Sequence, residues 1–150
     1  MPDYSKGKIY CIRSHQTDDI YIGSTIQKLG TRMARHRGDY KLYQNNEKGF
    51  CTSFYILDYD DAYIELIKNY PCNDKYELKR EEGKHQREME CVNKKIEGRT
   101  RKEYREDNKE HLQKKQKEWD EKNKEHMKEW YKQYAIDNKE HIQQYQKEYY

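Results

Sequence analysis

Between Arg99 and Tyr150 the chain contains neither glycine nor proline, and Asn-Lys-Glu-His recurs at 108–111, 123–126 and 138–141. A stretch of good helix formers with no helix breaker, repeating every 15 residues, has few options other than helix. Four α-helical turns take about 14.4 residues, so each repeat returns to nearly the same face. Tyr104, Leu112, Trp119, Met127, Trp130, Tyr134, Ile142, Tyr145 and Tyr149 share that face, broken once per repeat by Asn108, Asn123 and Asn138. One continuous helix is expected. Because the repeat slightly exceeds four ideal turns, self-association would wind right-handed or nearly straight. The alternative is a chain of short helices, since Asp107 with Glu110 and Asp137 with Glu140 have capping-box spacing.

With 33% hydrophobic and 39% charged residues, the 150-residue chain is too polar for one uniform core. It divides into a compact unit over residues 1–97 and a charged helical tail of three repeats over 98–150. A net charge of +3 excludes a grossly polybasic binder, so any nucleic-acid contact must come from local clusters. Cys11, Cys51, Cys72 and Cys91 form no CxxC pair and read as buried free thiols in a reducing compartment. The first residues lack the basic and apolar regions of a signal peptide, and no run approaches the roughly 20 apolar residues of a membrane span. A soluble intracellular protein, cytoplasmic or nuclear, with no membrane partner, is expected.

In the compact unit, residues 8–13 and 19–24 are rich in Ile and Tyr and flank the polar link 14–18, the pattern of two antiparallel strands joined by a hairpin loop. Ser24 and Thr25 offer cap oxygens for a helix running to about Tyr43, on which Arg32 and His36 are one turn apart. Residues 45–49 read as a turn and 53–57 as a further extended or short helical piece. Tyr63–Ile67 alternates as a third strand ended by Pro71, and Asn73 or Asp74 can cap a helix to about Met89. Cys91–Ile96 then returns toward the core and Gly98 closes the unit. The expected class is α/β (α+β): a small three-stranded antiparallel sheet flanked by helices, followed by a long C-terminal helical arm.

These motifs, in this order, resemble the GIY-YIG nuclease superfamily. The two name-giving tripeptides are Lys8-Ile9-Tyr10 and Tyr21-Ile22-Gly23, followed by Ser24-Thr25, by Leu29 with Arg32 and His36, by the Leu78–Gly83 segment, and by Cys91-Val92-Asn93-Lys94. The resemblance covers about two-thirds of the chain. Lys8 departs from it, standing where the motif has glycine; a strand position tolerates that change more readily than a tight turn.

The resemblance implies a metal-dependent DNA endonuclease that leaves a 5'-phosphate and a 3'-hydroxyl. Glu82 would be the single carboxylate ligand of Mg2+ or Mn2+, a hard cation that keeps most of its waters. Arg32 would hold the phosphate and meet the charge that develops in the transition state. Tyr10 is the candidate general base, directly or through a water, with Tyr21 and His36 orienting nucleophile or phosphate. A phenol near its ordinary pKa of about 10 needs Arg32 and the metal to stabilise its anion. Asn93 would brace the site through its amide. Taken singly, each residue has an ordinary structural reading, and only the ordered set points to chemistry. His15 and His85 match no motif.

A rival from another class is a non-catalytic DNA-binding or assembly protein that retains the fold. The tail resembles repeat tails attached to such domains in large DNA viruses, and two roles stand open for it. With 14 Lys+Arg against 12 Asp+Glu it could tether DNA by stacking its aromatics on bases. As an oligomerisation arm it would bury its seam against a copy of itself or another protein, with asparagines setting register.

Overall fold

The first tripeptide lies in a strand that is buried along almost its whole length. The computed structural model describes residues 1–149; Tyr150 and the side chain of Tyr149, the end of the repeat seam, lie outside the described residues. Strand β1 (Lys8–Ser14) pairs antiparallel with β2 (Thr17–Thr25) on one side and with β3 (Tyr63–Asn69) on the other, giving the order β2-β1-β3. Ile9, Tyr10, Cys11 and Ile12 are all buried because both faces of the sheet are covered.

Side chains alternate across a strand, and the two sets of β1 enter different cores. Tyr10 and Ile12 pack with Met33 of α1 (Leu29–Gln44) and with Phe54, Ile56 and Leu57 of the short α2 (Phe54–Leu57). Ile9 packs with Ile20, Ile22 and Leu78, the last from α3 (Lys75–Glu88). The three-stranded sheet with flanking helices is therefore the architecture expected from the strand pattern, and 53–57 resolves as helix. All four cysteines are free, but only Cys11 is buried; the other three are partly exposed.

Two helix starts differ in how well the sequence marks them. Asp74 caps α3 as read, accepting from the Glu77 N–H at 2.9 Å, while the Glu77 carboxylate accepts from the Asn73 N–H. Helix α1 is a correction: it begins at Leu29 with no side-chain cap, beyond Ser24 and Thr25. The Thr25 hydroxyl accepts from Gln27 N–H in the connecting turn, and Ser24 is used elsewhere.

The segment after α3 has no regular structure but does not hang loose. Val92 N–H donates to Ile20 O, and both polar atoms of the Asn93 amide bond the backbone of Ile22, each at 2.8 Å. An asparagine side chain thus stands in for a neighbouring strand on the outer edge of β2, where unpaired N–H and C=O groups would otherwise be left. The Asn93 amide thereby ties down the strand that carries Tyr21. The first compact unit spans Met1–Thr100.

The second unit, from Arg101, is helical throughout its described residues, as α4 (Arg101–Asp107), α5 (Lys109–Asp137) and α6 (Lys139–Tyr149). It lies between the two expectations. The helix is interrupted at Asn108 and Asn138, each preceded by aspartate, and passes unbroken through Asn123, preceded by Lys122. Two successive residues that favour local side-chain bonds over helix are enough to distort a turn, and one is not. All three asparagines donate to the carbonyl four residues back, on Tyr104, Trp119 and Tyr134, at 2.8–2.9 Å. The aromatic-to-asparagine spacing of the repeat is therefore first an intrahelical bond. Among the described residues no helix is long and apolar enough to cross a membrane.

Candidate functional site

Tyr10, Tyr21, Arg32 and His36 come together on the α1 side of the sheet. Tyr10 faces Gly23 across the β1–β2 ladder. That glycine is what admits the ring: a Cβ at Gly23 would lie 2.5 Å from the Tyr10 hydroxyl and Cζ. The third residue of the second tripeptide thus makes room for the third residue of the first. The Arg32 Nε–H donates to Tyr10 Oη at 2.8 Å, and Tyr10 Oη lies 2.8 Å from His36 Nε2. Since an arginine N–H can only donate, the acceptor for the Tyr10 proton is His36 Nε2. Tyr21 stands edge-on to the His36 ring at 5.6 Å between centroids.

Burial pushes the Tyr10 phenol up to about 12, against the nearby Arg32 charge that draws it down. Burial likewise raises Tyr21, reinforced by Tyr10 and Glu82. His36 is held down at about 4, first by burial and then by the Arg32 charge. At neutral pH the cluster is therefore one guanidinium, two neutral phenols and a neutral imidazole. Four of the five N–H donors of Arg32, those on its two terminal amino groups, remain beyond the bond to Tyr10.

Neutral His36 makes stability depend on pH. The unfolded imidazole takes its proton near its ordinary 6.5, while the folded one resists until about 4. The contribution is fully present above about 6.5 and is lost as pH falls toward about 4, amounting to about 3 kcal/mol. Urea unfolding of the parent and of His36→Gln is expected to show this loss in the parent only. Equal losses in both proteins would rule His36 out as its source.

Glu82 reaches the cluster differently. Ser24 neighbours Gly23 and so faces the α3 side of β2; its hydroxyl donates to Glu82 Oε2 at 2.5 Å. Lys79 Nζ is 2.7 Å from the same oxygen, and Gln86 Nε2 donates to Oε1 at 3.3 Å. Only 2% exposed, Glu82 is far from the solvent-facing glutamate that its charged helix would suggest. Its charge acts on Tyr10, Tyr21 and Arg32 without a direct bond to them. Glu81 instead pairs with Lys68 at 3.0 Å.

Does Glu82 fit a divalent cation? Among the described residues no group of three or more His, Cys, Asp or Glu side chains could hold a metal. With no cage of carboxylates, an ion held here would have to be a water-rich one taken by the single carboxylate of Glu82, in exchange for its present partners. Its competitor is Lys79, whose side chain is 32% exposed and whose flexible stem can carry the ammonium into solvent.

Sequence reasoning missed Lys79, Gln86 and Ser24 as partners of Glu82. Lys79 and Gln86 lie three residues before and four after it, so helical spacing alone could have found them. His15 stacks on Tyr63 and His85 bonds the Glu81 carbonyl, both structural roles. No family model, no curated protein and no solved structure matches the chain. What the site can do follows from its own geometry.

Proposed function

We propose that residues 1–100 form a metal-dependent DNA endonuclease unit that hydrolyses phosphodiester bonds to a 5'-phosphate and a 3'-hydroxyl. The observation that carries the reading is the bond chain from Arg32 through Tyr10 to His36, with a buried carboxylate behind it. Arg32 Nε is fixed by Tyr10, so the guanidinium plane is set and its terminal amino groups are available to a phosphate. A Mg2+ or Mn2+ ion on Glu82 would supply Lewis acidity and a more acidic bound water.

Tyr10 and His36 provide a route for the nucleophile's proton. Tyr10 Oη takes a proton from water as its own proton passes to His36 Nε2, giving an imidazolium. In the free site burial and Arg32 oppose that charge. A phosphate anion seated on Arg32 offsets part of the opposing field, so the transfer becomes easier when substrate is present. Tyr21 limits water around the imidazole.

The test is cleavage of supercoiled and branched DNA with Mg2+ or Mn2+ by the parent, Glu82→Ala and Glu81→Ala. The parent and Glu81→Ala are expected to cut and Glu82→Ala to be inactive; an inactive Glu81→Ala beside an active Glu82→Ala would move the ligand. The rival reading, a non-catalytic DNA-binding or assembly protein, draws on the ammonium already seated on Glu82. It wins if the folded parent never cuts.

For the second unit we infer self-association. Trp119, Trp130 and Tyr134 of α5 and Tyr145 of α6 are each about half exposed, a large apolar surface for these helices to leave in water. Its charges are balanced and interspersed, which disfavours a DNA tether. Sedimentation is expected to give a dimer or higher species that persists at high salt for the full chain and a monomer for a chain ending at Thr100. A monomeric full chain would defeat the inference.

A further inference from the structure

Helix α1 continues past the site with a second kind of surface. Tyr40 and Tyr43 follow His36 at one and two turns on the same face, and Asp19 precedes Tyr21 by two on the same face of β2. Between them and the α1–α2 loop lies a cavity of about 390 Å³, within the range of small-molecule sites. Its aromatic walls are Tyr43, Phe50, Phe54 and Tyr55. Phe50 stands edge-on to Phe54 at 5.9 Å and to Tyr55 at 4.9 Å, and Phe50 and Tyr55 are each 46% exposed. Asp19 and Asp58 line the same cavity, the Asp58 carboxylate oriented by the Tyr40 hydroxyl, which donates to it at 2.5 Å.

The rim adds a charge. Lys94 Nζ sits 5.8 Å from the Phe50 ring and 5.9 Å from that of Tyr55. A ligand suited to all three features has a flat π face for the rings, N–H donors for the carboxylates and an anion for Lys94. An organic cation satisfies the first two and is repelled by the third; a nucleotide satisfies all of them. We propose that this cavity takes an unstacked base of a DNA strand that carries an exocyclic amino group, adenine and cytosine being the two tested, with that amino group donating to Asp58 and the phosphate meeting Lys94. The proposal rests on the reading of the neighbouring site as a nuclease and narrows its substrate to DNA with unpaired nucleotides, such as flaps, bulges or branch points. Thymine has no exocyclic amino group; its one edge donor, N3–H, is flanked by two carbonyl oxygens that a carboxylate repels, so it is disfavoured.

The test uses the full chain in EDTA, where binding is read without cleavage. Fluorescence anisotropy of labelled oligo-dA, oligo-dC and oligo-dT and of a duplex of equal length is measured for the parent, Phe50→Leu, Tyr55→Leu and Asp58→Asn. The parent is expected to hold dA and dC strands about tenfold more tightly than duplex, and each leucine variant to lose about tenfold on strands with duplex binding unchanged. Asp58→Asn still accepts from Tyr40 and should erase the preference for dA and dC over dT. Thermal melts report whether each variant folds, and Asp58→Asn carries the test if a leucine variant does not. Strand binding that is indifferent to Phe50, Tyr55 and Asp58, or no strand binding by the parent, overturns the proposal. So does saturation by tetramethylammonium, dependent on Phe50, in a protein with no base preference. A protein that binds strands this way but never cuts loses the nuclease reading and keeps the pocket; one that cuts but ignores these substitutions loses the pocket alone.

Discussion

Arg32→Ala is expected to lower DNA cleavage by about 10²–10³-fold, the scale on which removal of one preorganised donor to a developing negative charge is felt. The fold should survive, because the guanidinium is only partly buried and Met33 and His36 hold α1 on the sheet. Arg32→Lys is expected to recover little. Lysine offers one ammonium where the site uses Nε on Tyr10 and the terminal amino groups on phosphate, two tasks a planar fork performs at once. The same substitutions have a second readout that ordinary loss of a surface charge would not give. The Arg32 charge helps to hold His36 at about 4, so its removal should move the imidazole titration, followed by NMR, to higher pH. An Arg32→Ala protein that cuts at the parental rate, with the His36 titration unmoved, would sever the chain from arginine through tyrosine to histidine.

How much of this was legible in the sequence depends on whether a residue's role is local. Ile- and Tyr-rich runs gave β1 and β2, alternation gave β3, and helical spacing placed Arg32 and His36 on one face, because residue preference and backbone geometry are both local. Capping failed at Ser24 because a hydroxyl that can cap a helix can equally serve a carboxylate 58 residues away, and nothing local says which. Burial of Glu82 was hidden for a similar reason: its helix is charged all round, and only the packing of Ser24 and Gln86 against it turns one glutamate inward. The aromatic cavity lay in plain view as six tyrosines and phenylalanines between residues 40 and 59. Its convergence depends on the turn after α1, where Asn46 adopts φ 61°, a conformation that spacing rules do not anticipate.

Gly83, beside Glu82, is expected to tolerate no side chain. A Cβ there would lie 1.9 Å from the Glu97 carbonyl oxygen and 3.0 Å from its carbon, and backbone cannot swing aside as a flexible side chain can. Either α3 or the 96–98 segment must retreat. That segment is tied to the helix by Gln86 accepting from the Glu97 N–H at 2.8 Å, and upstream of it the Asn93 amide clamps β2. Gly83→Ala should therefore cost about 3 kcal/mol or more, at or above the upper end of ordinary overpacking, and loosen the clamp that holds Tyr21. Gly38 supplies the internal control. It too lies within a helix, but a Cβ there meets nothing within 4 Å. Gly38→Ala removes a flexible residue from a helix interior and should stabilise by about 0.5–1 kcal/mol. Urea unfolding of the two variants should therefore move in opposite directions from the parent. If they move together, glycine at 83 serves something other than close approach, and the clamp on Tyr21 does not depend on it.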